Sequence, residues 1–217
     1  MEISHVLAEI GTQEFIHAFC DPDKFIVFCK QCNKYNACWS CPPYNFDTFS
    51  YLNRYEKAHV IGTKIILDEY IRNSLKDSEG QKEYGRQVIK EVRAGLDEWL
   101  LNLEERYPQS MAFFAGTCHR CPEGQCTRIN NLPCIYPDKI RHSLESFGFD
   151  IGKTAKELLK IDLKWSNDGK LPEYFTLVSG FFSNGTSIAI SFDEIVIQKS
   201  GKTNFPLFLD LIVIKYN

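Results

Sequence analysis

Eight of the nine cysteines in this 217-residue sequence fall into two compact sets. Cys29, Cys32, Cys38 and Cys41 make two C-x-x-C pairs. Cys118, Cys121, Cys126 and Cys134 make one C-x-x-C pair followed by widening gaps. Thiolates are soft donors, and a C-x-x-C pair turns both sulfurs toward one centre, as in zinc knuckles and iron–sulfur sites. Two such pairs can complete a tetrahedron around zinc. The irregular second set suits a cluster, whose ligand positions are spread more widely than those around one small ion. The expectation is a [4Fe-4S] cluster on Cys118, Cys121, Cys126 and Cys134, with Cys29, Cys32, Cys38 and Cys41 as a second metal site. Zinc is the alternative metal. Pro122 and Pro133 would stiffen and shield the second centre.

Other uses of clustered thiols fit less well. Disulfide frameworks belong to small secreted domains, and nine is an odd count. A thioredoxin-like dithiol should open a helix directly after a strand, and neither pair is so placed. Cys20 stands apart and reads as a small buried hydrophobe. His119, between Cys118 and Cys121, reads as a neighbour of the centre more readily than as a ligand. Tyr35, Trp39 and Tyr44 surround the first set and read as aromatic packing.

The rest of the composition narrows the function by exclusion. Hydrophobic residues make up 44% and charged residues 24%, with a net charge of -3. That is an ordinary globular profile without the basic footprint of a nucleic-acid or anionic-membrane binder. The N-terminal residues lack the pattern of a signal peptide, and no stretch is long and apolar enough to span a bilayer, so a cytoplasmic location is expected. No phosphate-binding glycine loop, dinucleotide fingerprint, nucleophile elbow or His-Glu-x-x-His motif is present. Any catalysis would therefore occur at the metal, and the sequence names no catalytic residue.

The elements that must position these cysteines read as follows. Residues 13–20 and 22–28 form short helices, the second capped by Asp21 and opened by Pro22. Residues 58–67 form a strand. From Glu79 to Tyr107, Val88, Val92, Leu96, Trp99, Leu100 and Leu103 recur at helical steps, giving a long amphipathic helix. Met111 to Ala115 is a buried strand leading to the second cysteine set. Pro137-Asp138 starts a helix that Gly148 ends, making Arg141 and Glu145 an i,i+4 pair and offering its N-terminus to the thiolates. A shorter helix covers 154–160. Beyond Trp165 the chain turns β-rich: 175–182 and 187–192 form a hairpin about Asn184-Gly185, with further strands at 194–198 and 209–216. The whole reads as one α+β domain over 1–217, with a mixed or antiparallel sheet and the cysteines on two loops.

Several of these residues also resemble a known pattern. Cys29-Lys-Gln-Cys32-Asn-Lys-Tyr35 and Trp39-Ser-Cys41-Pro42-Pro43-Tyr44 are similar to the opening motif of an uncharacterised bacterial and archaeal family of predicted metal-binding proteins. Its second motif resembles Ala115-Gly116-x-Cys118-x-x-Cys121, then Pro133-Cys134-x-x-Pro137, Arg141-x-Ser143-x-Glu145 and Gly148-x-Asp150. The resemblance spans much of 25–160 and implies metal binding, often in anaerobes, without a known reaction. Cys38 falls where the family does not require cysteine, and the spacing about Cys126 varies in it. The first site could thus rest on Cys29, Cys32 and Cys41 with an open coordination position, or the two sets could meet and exchange ligands as in two-cluster ferredoxins.

These readings converge on an iron–sulfur protein in electron transfer or redox chemistry, working with a redox partner protein. The rival is a zinc-stabilised structural or interaction module without catalysis. Oligomeric state and substrate are not legible.

Overall fold

A computed structural model describes residues 1–75, 77–166, 170–185 and 188–197, and the backbone of 209–215. In chain order the elements are β1 (Glu2–Gly11), α1 (Thr12–Phe19), α2 (Pro22–Gln31), α3 (Thr48–Leu52), β2 (Lys57–Ile66), α4 (Glu69–Ser74), α5 (Ser78–Arg106), β3 (Met111–Phe113), β4 (Tyr174–Ser183) and β5 (Leu209–Lys215). The strands form one mixed sheet in the order β3-β4-β2-β1-β5. The first four are antiparallel to their neighbours, and β5 runs parallel to β1. This is the α+β architecture expected, built around a long helix.

The sheet is covered on both faces. Ile3, Ile61, Ile65, Leu177 and Phe181 project to one side, where Val88, Val92, Leu96, Leu100 and Leu103 of α5 seal them from water. Val6, Ala8, Ile10, Val60, Val178 and Phe182 project to the other, against Phe15 and Phe19 of α1 and Phe147, Phe149 and Leu158. Strands buried on both faces lose the clean apolar–polar alternation. That explains why β1 is not apparent in the sequence: its apolar residues serve both cores, and His5 and Glu9 interrupt them.

His5 sits inside. Its Nδ1 lies 2.9 Å from Thr63 Oγ1, its ring stacks on Phe192 at 4.6 Å, and its Nε2 has no partner. Burial holds it down to about 4. The unfolded chain therefore binds a proton that the folded chain refuses between pH ~6.5 and ~4, and stability falls with pH across that window. The loss approaches roughly 3 kcal/mol at the acid end. His59, lowered chiefly by burial, adds in the same direction. His5→Phe should flatten the dependence of the urea midpoint on pH between 4 and 6.5; an unchanged slope would assign the acid sensitivity elsewhere.

Three expectations are corrected. No hairpin forms at Asn184-Gly185: β4 pairs with β2 on one edge and β3 on the other, so no edge is left for the following segment. Residues 188–192 cross α5 instead, with Trp99 Nε1 donating to Ser191 O at 3.1 Å; residues 186 and 187 lie outside the described residues. Residues 194–197 are likewise not a strand, and Glu194 pairs with Arg106 at 2.9 Å; residue 198 lies outside the described residues. Nor does a helix start at Pro137. The Arg141 guanidinium grips Glu104 of α5 and His142 O accepts from Phe114 N at 2.9 Å, which draws this stretch alongside β3. Only a single 3-10 turn, Glu145–Phe147, precedes Gly148. The expected Arg141–Glu145 pair and the helix N-terminus facing the thiolates are absent with it. The short helix expected at 154–160 is present, opening one turn earlier at Ile151–Lys153 and taking π form over Thr154–Leu158.

Candidate metal centre

The first cysteine loop hangs from α2. Asp21 caps that helix, its carboxylate accepting from Lys24 N at 3.0 Å, and Pro22 pre-sets the first turn. Cys29 lies in the last turn of α2 and Cys32 just after it. The chain then folds back on itself, Asn36 N donating to Pro42 O at 2.8 Å, and leaves through a cis Pro42-Pro43 bond. The second loop leaves β3 at Phe113 and is pinned by α5. Arg93 Nη2 donates to Thr117 O at 2.7 Å, Arg120 pairs with Glu98, and Asp97 Oδ2 lies 3.6 Å from His119 Nε2. Burial pushes the Asp97 carboxyl up to about 7 despite Arg93 at 3.7 Å. His119 is thus tied to α5.

The two loops meet. Arg128, in the second loop, is buried and donates to Cys38 O at 2.8 Å, to Pro43 O at 2.5 Å and to Cys41 O. Its guanidinium also lies 5.2 Å from the Trp39 ring, and Trp39 Nε1 donates to Leu132 O at 3.1 Å. Ser40 is the joint. Its hydroxyl accepts from Cys118 N at 3.0 Å and lies 3.3 Å from Cys38 Sγ. Its carbonyl accepts from Tyr44 OH at 2.8 Å and lies 3.1 Å from His142 Nδ1. Tyr44 packs as expected, stacked on Phe46 at 5.0 Å and edge-on to His142 and Phe147.

This docking joins the two cysteine sets into one belt. Cys29 and Cys32 interact with each other, and Cys41 with Cys32 and Cys38. Across the sets, Cys38 lies within electrostatic reach of Cys126, Cys118 and Cys121, and Cys134 within reach of Cys118 and Cys121. Cys38, the most buried of the eight, therefore stands between the sets. The neighbouring Cys41 thiol, with Ser40 Oγ 3.3 Å away, holds the Cys38 thiol down against the effect of burial, and Cys41 is pushed up in return. The thiolate is the form that binds soft metals. Among the described residues, no three Cys, His, Asp or Glu side chains are grouped so as to hold a metal ion as they stand. Cys20 lies apart, donating to Phe147 O at 3.4 Å, with its thiol pushed up to about 12 by burial.

Residues 18–179, from α1 through both loops into β4, match the family described as predicted metal-binding protein (DUF2284). The chain belongs to that family. No curated protein and no solved structure matches it. The matched span takes in both cysteine loops and the strands β2, β3 and part of β4 beside which they lie. Among the described residues, no helix is long and apolar enough to cross a membrane.

Sequence reasoning left out Arg128 and Ser40, whose roles depend on which loops become neighbours. It named Glu145, but as a surface partner of Arg141. Glu145 instead lines two adjoining cavities, of about 160 and 400 Å³, together with Cys29, Tyr35, Pro42 and Ser146. Its Oε2 is buried without a hydrogen-bond partner, and burial pushes the carboxyl up. Gly148 places that turn. It adopts φ 93, and a Cβ there would lie 2.5 Å from Pro22 Cα, at the root of α2. Gly148→Ala should cost roughly 2–4 kcal/mol through left-handed strain and the clash. A thermal-unfolding midpoint within a degree or two of wild type would show that α2 and the turn can separate freely.

Proposed function

We propose that this predicted metal-binding protein is an iron–sulfur protein in electron transfer or redox chemistry. Cys118, Cys121, Cys126 and Cys134 hold one centre, joined by Cys38, and Cys29, Cys32 and Cys41 hold a second. The docking of the two loops through Ser40, whose hydroxyl accepts from Cys118 N at 3.0 Å and lies 3.3 Å from Cys38 Sγ, supports this reading. It brings the two cysteine sets side by side. An all-thiolate donor set fits iron–sulfur chemistry and zinc alike. The irregular spacing of Cys118, Cys121, Cys126 and Cys134 favours a cluster, which spreads its ligand sites, over a single ion. When bound, a cluster supplies a one-electron couple; the loops bind it, orient it and limit its contact with water.

The test is iron, zinc and acid-labile sulfide per chain, with the visible spectrum, on protein purified without oxygen. About four irons and four sulfides with a broad brown absorbance indicate one cubane, and about twice that indicates two. Colourless protein carrying zinc and no sulfide would overturn the reading in favour of a zinc-stabilised interaction module.

A further inference from the structure

We propose that the cavity of about 400 Å³ between α2, residues 42–48 and the turn at 145–148 binds a small organic cation. The ammonium group sits at the mouth, between Asp23 and Asp47, and an apolar body lies against Tyr44, Phe46 and Phe147. The inference goes beyond the iron–sulfur reading and does not rest on it, because no thiol and no metal enters the recognition.

Three observations carry it. The first is the make-up of the cavity. Its volume falls within the range of small-molecule sites, roughly 300–1,000 Å³, which combine an apolar body with a few convergent polar groups. Ile26, Pro42, Pro43, Phe46 and Phe147 supply the apolar wall. Tyr44 contributes its ring, because its hydroxyl already donates to Ser40 O at 2.8 Å.

The second is the grouping of the rings. Tyr44 lies 5.0 Å from Phe46 and 5.4 Å from Phe147, and Phe46 lies 6.0 Å from Phe147. Phe46 nevertheless remains 37% exposed, an aromatic surface that an occupant of the cavity would cover. Aromatic rings attract cations through the negative charge of their faces, and they repel anions there.

The third is the charge at the mouth, where the exposed Asp23, Asp47 and Lys30 line the cavity. Asp47 caps α3, its carboxylate accepting from Ser50 N at 2.6 Å, and the Ser50 hydrogen bonds hold it below the usual carboxylate range. A carboxylate accepts about four hydrogen bonds, so capacity for an ammonium remains. Among the described residues, the Asp23 side chain has no hydrogen-bond or ion-pair partner. Two carboxylates thus face one ammonium, that of Lys30. An entering anion meets both carboxylates, a neutral molecule gains nothing from them, and a cation is drawn in. Cys29 and Glu145 lie where the cavity meets its smaller neighbour and take no part in the recognition.

The test uses the full-length protein as purified and three ligands of similar shape: 2-phenylethylammonium, 2-phenylethanol and phenylacetate. Ethylammonium supplies the head group alone. Affinities are read from saturation-transfer NMR titrations at low salt. The aromatic cation should bind about three- to tenfold more tightly than the alcohol, and phenylacetate more weakly than the alcohol. Ethylammonium should bind at least about tenfold more weakly than 2-phenylethylammonium, because no ring is buried. Asp23→Asn combined with Asp47→Asn, which keeps a capping side chain on α3, should bring the cation down to the affinity of the alcohol and leave the alcohol unchanged. Lys30→Gln, at an exposed position, should tighten the cation, and Phe46→Ala should weaken cation and alcohol together. Equal affinities for cation and alcohol would overturn the inference. So would a preference for the cation that survives the double substitution, or an absence of saturation transfer to every ring-bearing ligand. Iron and sulfide content decides the iron–sulfur reading separately, and neither result bears on the other.

Discussion

Arg128→Ala should destabilise the protein by roughly 3–5 kcal/mol, enough to release the two cysteine loops from each other. One buried guanidinium satisfies the carbonyls of Cys38, Cys41 and Pro43, so truncation leaves those of Cys41 and Pro43 unpaired and that of Cys38 with only the Cys41 N–H, in an interior that water reaches poorly. Each hydrogen bond to a charged group contributes about 1.5–3 kcal/mol, partly recovered as water enters. Against a total stability of roughly 5–15 kcal/mol this is a large share. Lysine should not rescue it, because an ammonium cannot present the planar fork that reaches three carbonyls in different directions. The urea midpoint together with proteolysis across 32–43 checks this. A variant within about 0.5 kcal/mol of wild type, the scale of an ordinary surface change, would remove Arg128 from the account of how the loops are held.

The second large effect concerns metal. Cys38→Ala should lower metal affinity by more than the roughly 10- to 100-fold that follows loss of a residue merely supporting a ligand. Cys20→Ala should leave it unchanged. Cys38 is the buried sulfur beside Ser40, the residue that joins the two loops, so its removal opens the belt in the middle. Competition against a chromophoric chelator measures the change, and native-like circular dichroism separates lost ligation from lost fold. If Cys38→Ala bound metal like wild type, the two sets would function as separate units.

How far the sequence foretold these features varies by element. The long helix α5 was legible because Val88, Val92, Leu96 and Leu100 face one core at helical steps. The strand at 58–67 and the helix capped by Asp21 were legible for similar local reasons. The β1 strand was hidden because it feeds two cores at once. The 137–148 segment misled because its local signals, a proline start and a glycine stop, favoured a helix. Long-range bonds from Glu104 to Arg141 and from Phe114 to His142 outweighed them. Within the candidate site, the cysteines announce themselves by spacing, and the meeting of the two sets was foreseen only as one alternative. Ser40 and Arg128 carry no signal in a single sequence, since an ordinary serine and arginine acquire their roles only when residues 78 and 90 positions apart become neighbours.

If the two cysteine sets hold separate redox centres, as proposed, the position of Cys38 between them constrains how charge is stored. Cys38 and Cys41 are three residues apart, so centres built on either side of them lie on the order of 10 Å from each other. At that separation a unit charge added to one shifts the other by roughly 1–2 kcal/mol in a protein-like dielectric. The centres would therefore not fill or discharge independently. An electron placed on one makes the next harder to add, so a single midpoint potential would be split into two, and the protein would accept electrons in a fixed order.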